Sequence, residues 1–491
     1  MNMADNRLPN QPRGELFGSS ITAYHLRRAI MLKIDAGSSP NPYCDGLTRR
    51  SFVQLGVAGM ASAGLADVLR AKAMSAESRS KKDTSAILIW LDGGPSHLDL
   101  YDLKQDAPSE VRGLWRPIRT NVEGFEITEL FPKQAKVADK FSIVRSLHHD
   151  TGDHFAGGHR MLTTKDMNVS GAQNAGKFPG LGSIIARERG SRHPSMPSYV
   201  AVPYAASIGL VPGYFGANFL GVQYDPFQPG GDPNQANYQV QNLNLAPGMN
   251  INRLESRREL NRTLDQIPRT VERNGLFTAM DRFDQDAFDF VSGARARRAF
   301  DIGQEDPRLR DKYGRQNWGQ STLLARRLVE AGSTFVTVHY GGWDHHWNLK
   351  EGMDNYLPMV DSAVSSLLTD LDERGMLDTT LVILCGEFSR TPKMNDGGNG
   401  GPAGSMGTPG RDHWGNSMFC LLAGGGIKNG QIVGSTDKNG TRPATRPVQP
   451  THIHSTIYNC LGIDPHISVI DHAGRPNPVL EDTTPIHELL A

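Results

Sequence analysis

Cysteine is scarce in this sequence, with four residues in 491. Cys44 lies near the start, and Cys385, Cys420 and Cys460 are an odd number without metal-finger spacing, which excludes a thiolate zinc module and a disulfide scaffold. Two of them fall in apolar runs, where Cys serves as a small core residue. An excess of one charge is also missing, since 52 basic residues face 52 acidic ones. That balance leaves no electrostatic footprint for nucleic acid or an anionic membrane, although small anionic substrates stay open. Long hydrophobic runs are missing too. The longest stretch of apolar and small residues near the N-terminus, Leu55–Leu65, is far short of the roughly 20 residues a spanning helix needs, so no stable membrane anchor is expected.

What that stretch does have is an Arg pair ahead of it. Thr48-Arg49-Arg50-Ser51-Phe52-Val53-Gln54, then the mild apolar segment, then Ala71-Lys72-Ala73 read as n-region, h-region and A-x-A cleavage site of a twin-arginine signal. Residues 1–75 are therefore expected to be a disordered leader and signal peptide, with Met31 an alternative start. The Tat translocase is the expected partner during export, and the mature chain is expected in the periplasm or secreted.

Beyond the leader, apolar runs alternate with helical patterns, the signature of an α/β fold with a mostly parallel central sheet and helices on both faces. Ala86–Leu91 is apolar on both faces, as a central parallel strand must be. Phe141–Arg145, Thr334–Val338, Thr380–Cys385 and Met418–Ala423 read as further strands. Leu323, Leu324, Leu328 and Val329 mark one helix ended by Gly332. Leu357, Val360, Val364, Leu367, Leu368 and Leu371 mark another ended by Gly375. Near 205–250 the composition shifts to Asn, Gln, Gly and Pro, which reads as a surface insertion, either a substrate lid or an inert loop.

The chemistry lies where acidic residues and histidines fall relative to those strands. Asp92 follows the first strand, Asp344 and His346 follow the Thr334 strand, Glu387 follows the Thr380 strand, and His413 precedes the last. In open α/β sheets ligands collect beyond the carboxyl ends of the strands, so these side chains are expected to converge. Carboxylates with imidazoles make a set suited to zinc, manganese or magnesium. Two ions about 4 Å apart fit such a ligand count. A second cluster runs His148-His149-Asp150-Thr151-Gly152-Asp153-His154, with His159 close behind. Taken singly, His97, His149, His159 and His345 read as hydrogen-bonded structural residues.

Five segments then carry a resemblance: Leu91-Asp92-Gly93-Gly94-Pro95-Ser96, Gly342-Trp343-Asp344-His345-His346-Trp347-Asn348, Gly386-Glu387-Phe388-Ser389-Arg390-Thr391-Pro392, Gly410-Arg411-Asp412-His413-Trp414 and Leu422-Ala423-Gly424-Gly425-Gly426-Ile427. In this order they resemble domain-of-unknown-function family 1501, an often Tat-exported family placed in the alkaline phosphatase and sulfatase superfamily. The likeness runs from about Ser85 to Pro465, and one alkaline-phosphatase-like domain is expected over 85–480. The resemblance implies a metal-dependent hydrolase of phosphate or sulfate esters, acting on a small-molecule or polysaccharide ester. It implies Asp92, Asp344, His346, Glu387 and His413 as ligands of one or two divalent ions, zinc first, then manganese, magnesium or calcium. Phe388 stands where the superfamily has a histidine after its acidic residue, so a complete two-metal site is in question. No cysteine has Pro two residues on and Arg four residues on, which argues against a formylglycine sulfatase. Thr151 is the candidate nucleophile, with Ser96 as the other. Asp153 and His154 are candidate acid, base or metal groups. Arg160 and Arg390 are candidates for holding substrate oxygens, or equally for salt-bridged structural roles. The rival expectation is a catalytically degenerate binding protein that keeps the fold.

Overall fold

The computed structural model describes residues 83–167, 178–240, 243, 251–264, 285, 287–398 and 401–490. The Arg49-Arg50 pair, the cleavage site and Met31 lie outside the described residues. So do the last residues of the Asn/Gln-rich segment other than Leu243.

The sequence runs read as strands come together in one seven-stranded sheet. Its members are β1 (Ser85–Leu91), β2 (Ser142–Leu147), β3 (Tyr199–Val202), β4 (Phe335–Tyr340), β5 (Thr380–Cys385), β6 (Met418–Ala423) and β7 (Ile432–Val433), in the order β7-β2-β6-β5-β1-β4-β3. β1 pairs in parallel with β4 and β5, β3 with β4, and β7 with β2. Only β6 runs the other way, antiparallel to both β2 and β5. The sheet is mixed α/β and mostly parallel, as the unbroken apolar runs require, because both of its faces are covered.

Alternation along β1 divides the interior. Ile87, Ile89 and Leu91 join one core, and Ala86, Leu88 and Trp90 the other. On the first face lie α3 (Asn317–Ala331) and α4 (Leu349–Glu373), which turn Leu323, Leu328, Leu357, Val360, Val364 and Leu368 inward at helical spacing. On the second lie α1 (His154–Thr163), α2 (Leu181–Arg189) and α5 (Pro450–Leu461), through Met161, Ile184, Ile185, Ile453 and Ile457. Each such fully buried aliphatic side chain contributes about 1.5–3 kcal/mol. Gly332 ends α3 in the left-handed region, at φ 118, where a β-carbon would be strained. Among the described residues no helix is long and apolar enough to cross a membrane.

The segment after Ala205 is less of a loop than its composition implies. It folds into short turns at Gly213–Phe215, Asn218–Leu220 and Val222–Tyr224, and it buries Ala205, Tyr214, Phe215 and Ala217. Its aromatic and Ala residues supply apolar area that the Asn, Gln and Pro around them conceal in an average.

Candidate metal centre

The loops leaving β1, β4 and β5 meet at one end of the sheet. The β1 loop needs glycine there. Gly93 has φ 115, and a β-carbon on it would lie 2.6 Å from the Asp344 backbone nitrogen, so no side chain fits between the two loops. Gly93 N–H in turn donates to Glu387 Oε1 at 2.8 Å, tying the β1 loop to the β5 loop.

Asp344 is the hub. Its Oδ1 lies 3.0 Å from His346 Nε2, 3.1 Å from His413 Nε2 and 2.6 Å from the donating Arg390 Nη2. Its Oδ2 lies 3.4 Å from His154 Nε2, a close contact without hydrogen-bond alignment. The other ring nitrogens face acceptors as well. His413 Nδ1 is 2.6 Å from the Gly152 carbonyl, which can only accept, so this nitrogen carries the proton. His346 Nδ1 faces Asp412 Oδ1 at 2.7 Å and His154 Nδ1 faces Glu387 Oε1 at 2.7 Å, where the same logic holds for carboxylates. Three Nε2 atoms therefore converge on one carboxylate, and two of them, on His346 and His413, are 2.9 Å apart. Unprotonated, they would turn their lone pairs on one another, which a cation among them relieves. Ligand atoms of His154, Asp344 and His413 lie within 4.8 Å of one another, close enough to share an ion.

The alternative cation is a proton. His154 is pushed up to about 9: burial opposes the charge, but the close carboxylates of Asp344 and Glu387 outweigh it. His346 is raised, chiefly by Asp344 and against its burial. Burial holds His413 below the usual imidazole value. The Asp344 carboxyl lies far below the ordinary carboxylate range, because three imidazoles and Arg390 outweigh its burial.

Beside this cluster is a second, deeper one. Asp92 Oδ2 accepts from the Ile208 backbone N–H at 2.8 Å and faces His339 Nε2 at 3.1 Å, while its Oδ1 is buried without a partner. Glu387 is fully buried and its Oε2 is likewise unpartnered. Burial and repulsion from Asp92 raise its carboxyl, against the pull of His154. Orphaned carboxylate oxygens in a dry site cost about 1–3 kcal/mol or more each. With the imidazoles they form an oxygen and nitrogen donor set that fits a divalent metal.

All five residues expected as ligands thus surround one region, and so does His154. Phe388 fills the place of the expected histidine, its ring 4.9 Å from that of His154 and 4.5 Å from that of His413. An imidazole from α1, that of His154, lies beside Glu387. His339, which the sequence reading did not single out, lies near the end of β4, just past the run read as Thr334–Val338. A histidine at the carboxyl end of a parallel strand was the available signal.

Other expected roles meet a different placement. Asp153 caps α1, accepting from the Ala156 N–H at 2.9 Å. Thr151 Oγ1 accepts from the Asp153 N–H at 3.2 Å. Arg160 pairs with Asp166 at the far end of α1. Arg390 is 1% exposed; it donates to the carbonyls of Gly93, Gly94 and Arg411 and to Asp344. Its guanidinium clamps loops and orients Asp344, and burial leaves no face of it for substrate. Ser96 is also turned inward, donating to Asp99 Oδ2 at 2.5 Å. The histidines read as structural have internal partners: His97 with Ser389, His149 with the Glu387 carbonyl, His159 with the Lys165 carbonyl. His345 packs its ring against Tyr356.

Residues 83–490 match the family described as Protein of unknown function (DUF1501). The chain belongs to that family. No curated protein matches it. Among solved structures it is similar to the PsFucS1 sulfatase from Pseudoalteromonas sp., at 13% identity and TM-score 0.35 over 81% of this chain and 71% of that one. It is similar to a protein in the alkaline phosphatase superfamily from Vibrio parahaemolyticus, at 10% identity and TM-score 0.35 over 78% and 67%. A mutant TAB5 alkaline phosphatase solved with Mg bound is 12% identical at TM-score 0.35, over 78% of this chain and 99% of that one. Identities and TM-scores this low establish no residue-to-residue correspondence.

Proposed function

We propose that this chain is an exported, metal-dependent hydrolase of phosphate or sulfate esters. The observation that carries the reading is the convergence of the His154, His346 and His413 rings on the Asp344 carboxylate, with the orphaned oxygens of Asp92 and Glu387 alongside. Asp344, His154 and His413 would hold a divalent ion, zinc first, with His346 at its edge. Asp92 and Glu387 offer donors for a second. Such an ion supplies Lewis-acid polarisation of an ester oxygen and offsets the charge that develops on it. Glu387 fixes the His154 ring by accepting from Nδ1, Asp412 does so for His346, and the Gly152 carbonyl for His413. Outer partners of this kind set ligand orientation and basicity. Phe388 walls the imidazoles of His154 and His413 from one side.

Two nucleophiles are open to this arrangement. Thr151 sits just ahead of α1, and its hydroxyl can still donate while accepting from Asp153. A water oriented by the carboxylates is the alternative. A binding protein without turnover is the second reading, and the engaged Thr151 hydroxyl and inward Ser96 favour it. A panel of phosphate, phosphodiester and sulfate esters with zinc, manganese or magnesium separates the two. Hydrolysis should appear, and Asp344→Ala or His413→Ala should lower turnover by about 10² to 10³ or more. Thr151→Ala should bind metal normally and turn over poorly if Thr151 attacks, and stay largely active if water does. A metal-loaded chain inert towards every ester would leave the binding protein standing. Export is tested separately: Arg49→Lys with Arg50→Lys should stop translocation if a twin-arginine receptor reads the pair.

A further inference from the structure

Beside Asp92 the Ala205 segment makes a tight hairpin whose chemistry runs against its own backbone. Ser207 and Leu210 exchange backbone hydrogen bonds at 2.8 and 2.9 Å around Ile208 and Gly209. Both central residues have positive φ, 47 and 74, the geometry of a type I′ turn. That turn favours Asn-Gly, and a β-branched residue in its first central position is strained. Isoleucine nevertheless occupies it, 38% exposed, with its backbone N–H on Asp92 Oδ2. Its neighbours Leu210 and Val211 are 48% and 71% exposed. Tyr204, 46% exposed, lays its ring 5.3 Å from that of His339, the other partner of Asp92. Ile208 is thus one backbone hydrogen bond from Asp92 and Tyr204 one ring contact from His339, with Leu210 and Val211 following in the same hairpin, and an exposed apolar patch of this kind marks a binding surface.

We infer that Tyr204, Ile208, Leu210 and Val211 form an apolar lip that receives the hydrocarbon part of the substrate, so that the preferred esters carry an alkyl or aryl group. This rests on the ester-hydrolase reading and names the substrate class for it. The occupant is a substrate group because the lip is continuous with the centre through Asp92 and His339. Isoleucine where asparagine would relieve the turn is explained by what its side chain touches, not by the fold.

The test is calorimetric titration of the metal-loaded full chain with alkylphosphonates from methyl to hexyl. Affinity should rise with each methylene, by up to about fourfold where the group is fully buried. In Ile208→Asn, and in Leu210→Ser with Val211→Ser, the rise should flatten. Ile208→Asn should not lower the melting temperature, since asparagine suits the turn; a purely structural isoleucine would give a loss. Phosphonates that bind with no dependence on length would overturn the lip and leave the hydrolase reading intact. Failure of every phosphonate to bind would overturn both. A length dependence untouched by either variant would assign the effect elsewhere and sink the proposal. A flat series with binding to phosphatidylcholine vesicles, lost in Val211→Ser, would make the lip a membrane contact instead.

Discussion

Asp92 and Asp99 are buried carboxylates seven positions apart, and the structure treats them in opposite ways. Asp99 meets Arg411, also fully buried, at 2.8 Å. Ser96 donates to the same oxygen, and the remaining guanidinium donors reach the carbonyls of Thr391, Pro392 and Val111. Charge and hydrogen bonding are both closed within the protein. Asp92 has no cationic side chain of fixed charge, keeps an orphaned Oδ1, and shares its neighbourhood with Glu387, which is also incomplete. A buried charge with all its partners holds loops in place, whereas one left short is costly unless something further pairs with it. The difference is what the proposed metal centre would account for.

The largest effect should come from breaking the closed pair. Arg411→Met leaves Asp99 charged and uncompensated, so urea unfolding should show a loss of about 3–5 kcal/mol. Metal should not reduce that loss. The open cluster should show the reverse pattern. Divalent metal at 100 times its dissociation constant should raise stability by about 2.7 kcal/mol, read as a thermal shift that a chelator reverses. In Asp344→Ala that shift should vanish.

Protons give a third contrast. His454 is fully buried with Nε2 donating to the Met161 carbonyl, and burial pushes it down to about 4. Below the unfolded value near 6.5 the unfolded chain takes up the proton more readily. Stability should therefore fall as pH drops from about 6.5 to about 4, by up to about 1.4 kcal/mol per pH unit. His454→Gln should flatten the curve there. His154, raised to about 9, has the opposite sign. In the metal-free chain its contribution is complete below about 6.5 and is lost as pH rises to about 9. Bound metal should remove that alkaline slope, because it takes the place of the proton. The smallest effect should be Glu387→Gln in chelated protein, about 1 kcal/mol or less, since the change removes an unsatisfied charge. The same variant should weaken metal binding about 10- to 100-fold by releasing the His154 ring.

Much of this layout was legible before any coordinates. Unbroken apolar runs announced β1, β4, β5 and β6, because a strand covered on both faces has no polar positions to alternate. Asp92, Asp344 and Glu387 stood out as charges placed just where such runs stop. His339 was missed although it stands just after the run read as Thr334–Val338, because the strand continues to Tyr340 and no motif drew attention to it. Sequence left Arg390 and Arg160 open between holding substrate oxygens and bonding within the protein, because residue type alone does not separate the two. Burial and partners bear on that choice: Arg390 is buried against loop carbonyls and Asp344, whereas Arg160 is half-buried beside Asp166.

What the sequence determined by itself was local: the period of its apolar residues, its glycine stops, the turn-forming Gly93-Gly94, and the residue types able to bind a metal. Tertiary structure alone decided which of those residues became neighbours. His154 joins Glu387 from 233 positions away, and Arg411 reaches Asp99 from 312. Backbone preference and hydrophobic period act over a few residues, so they can be read along the chain. The completeness of a buried charge depends on every group that folding brings within a few ångströms of it, and no stretch of sequence contains that information.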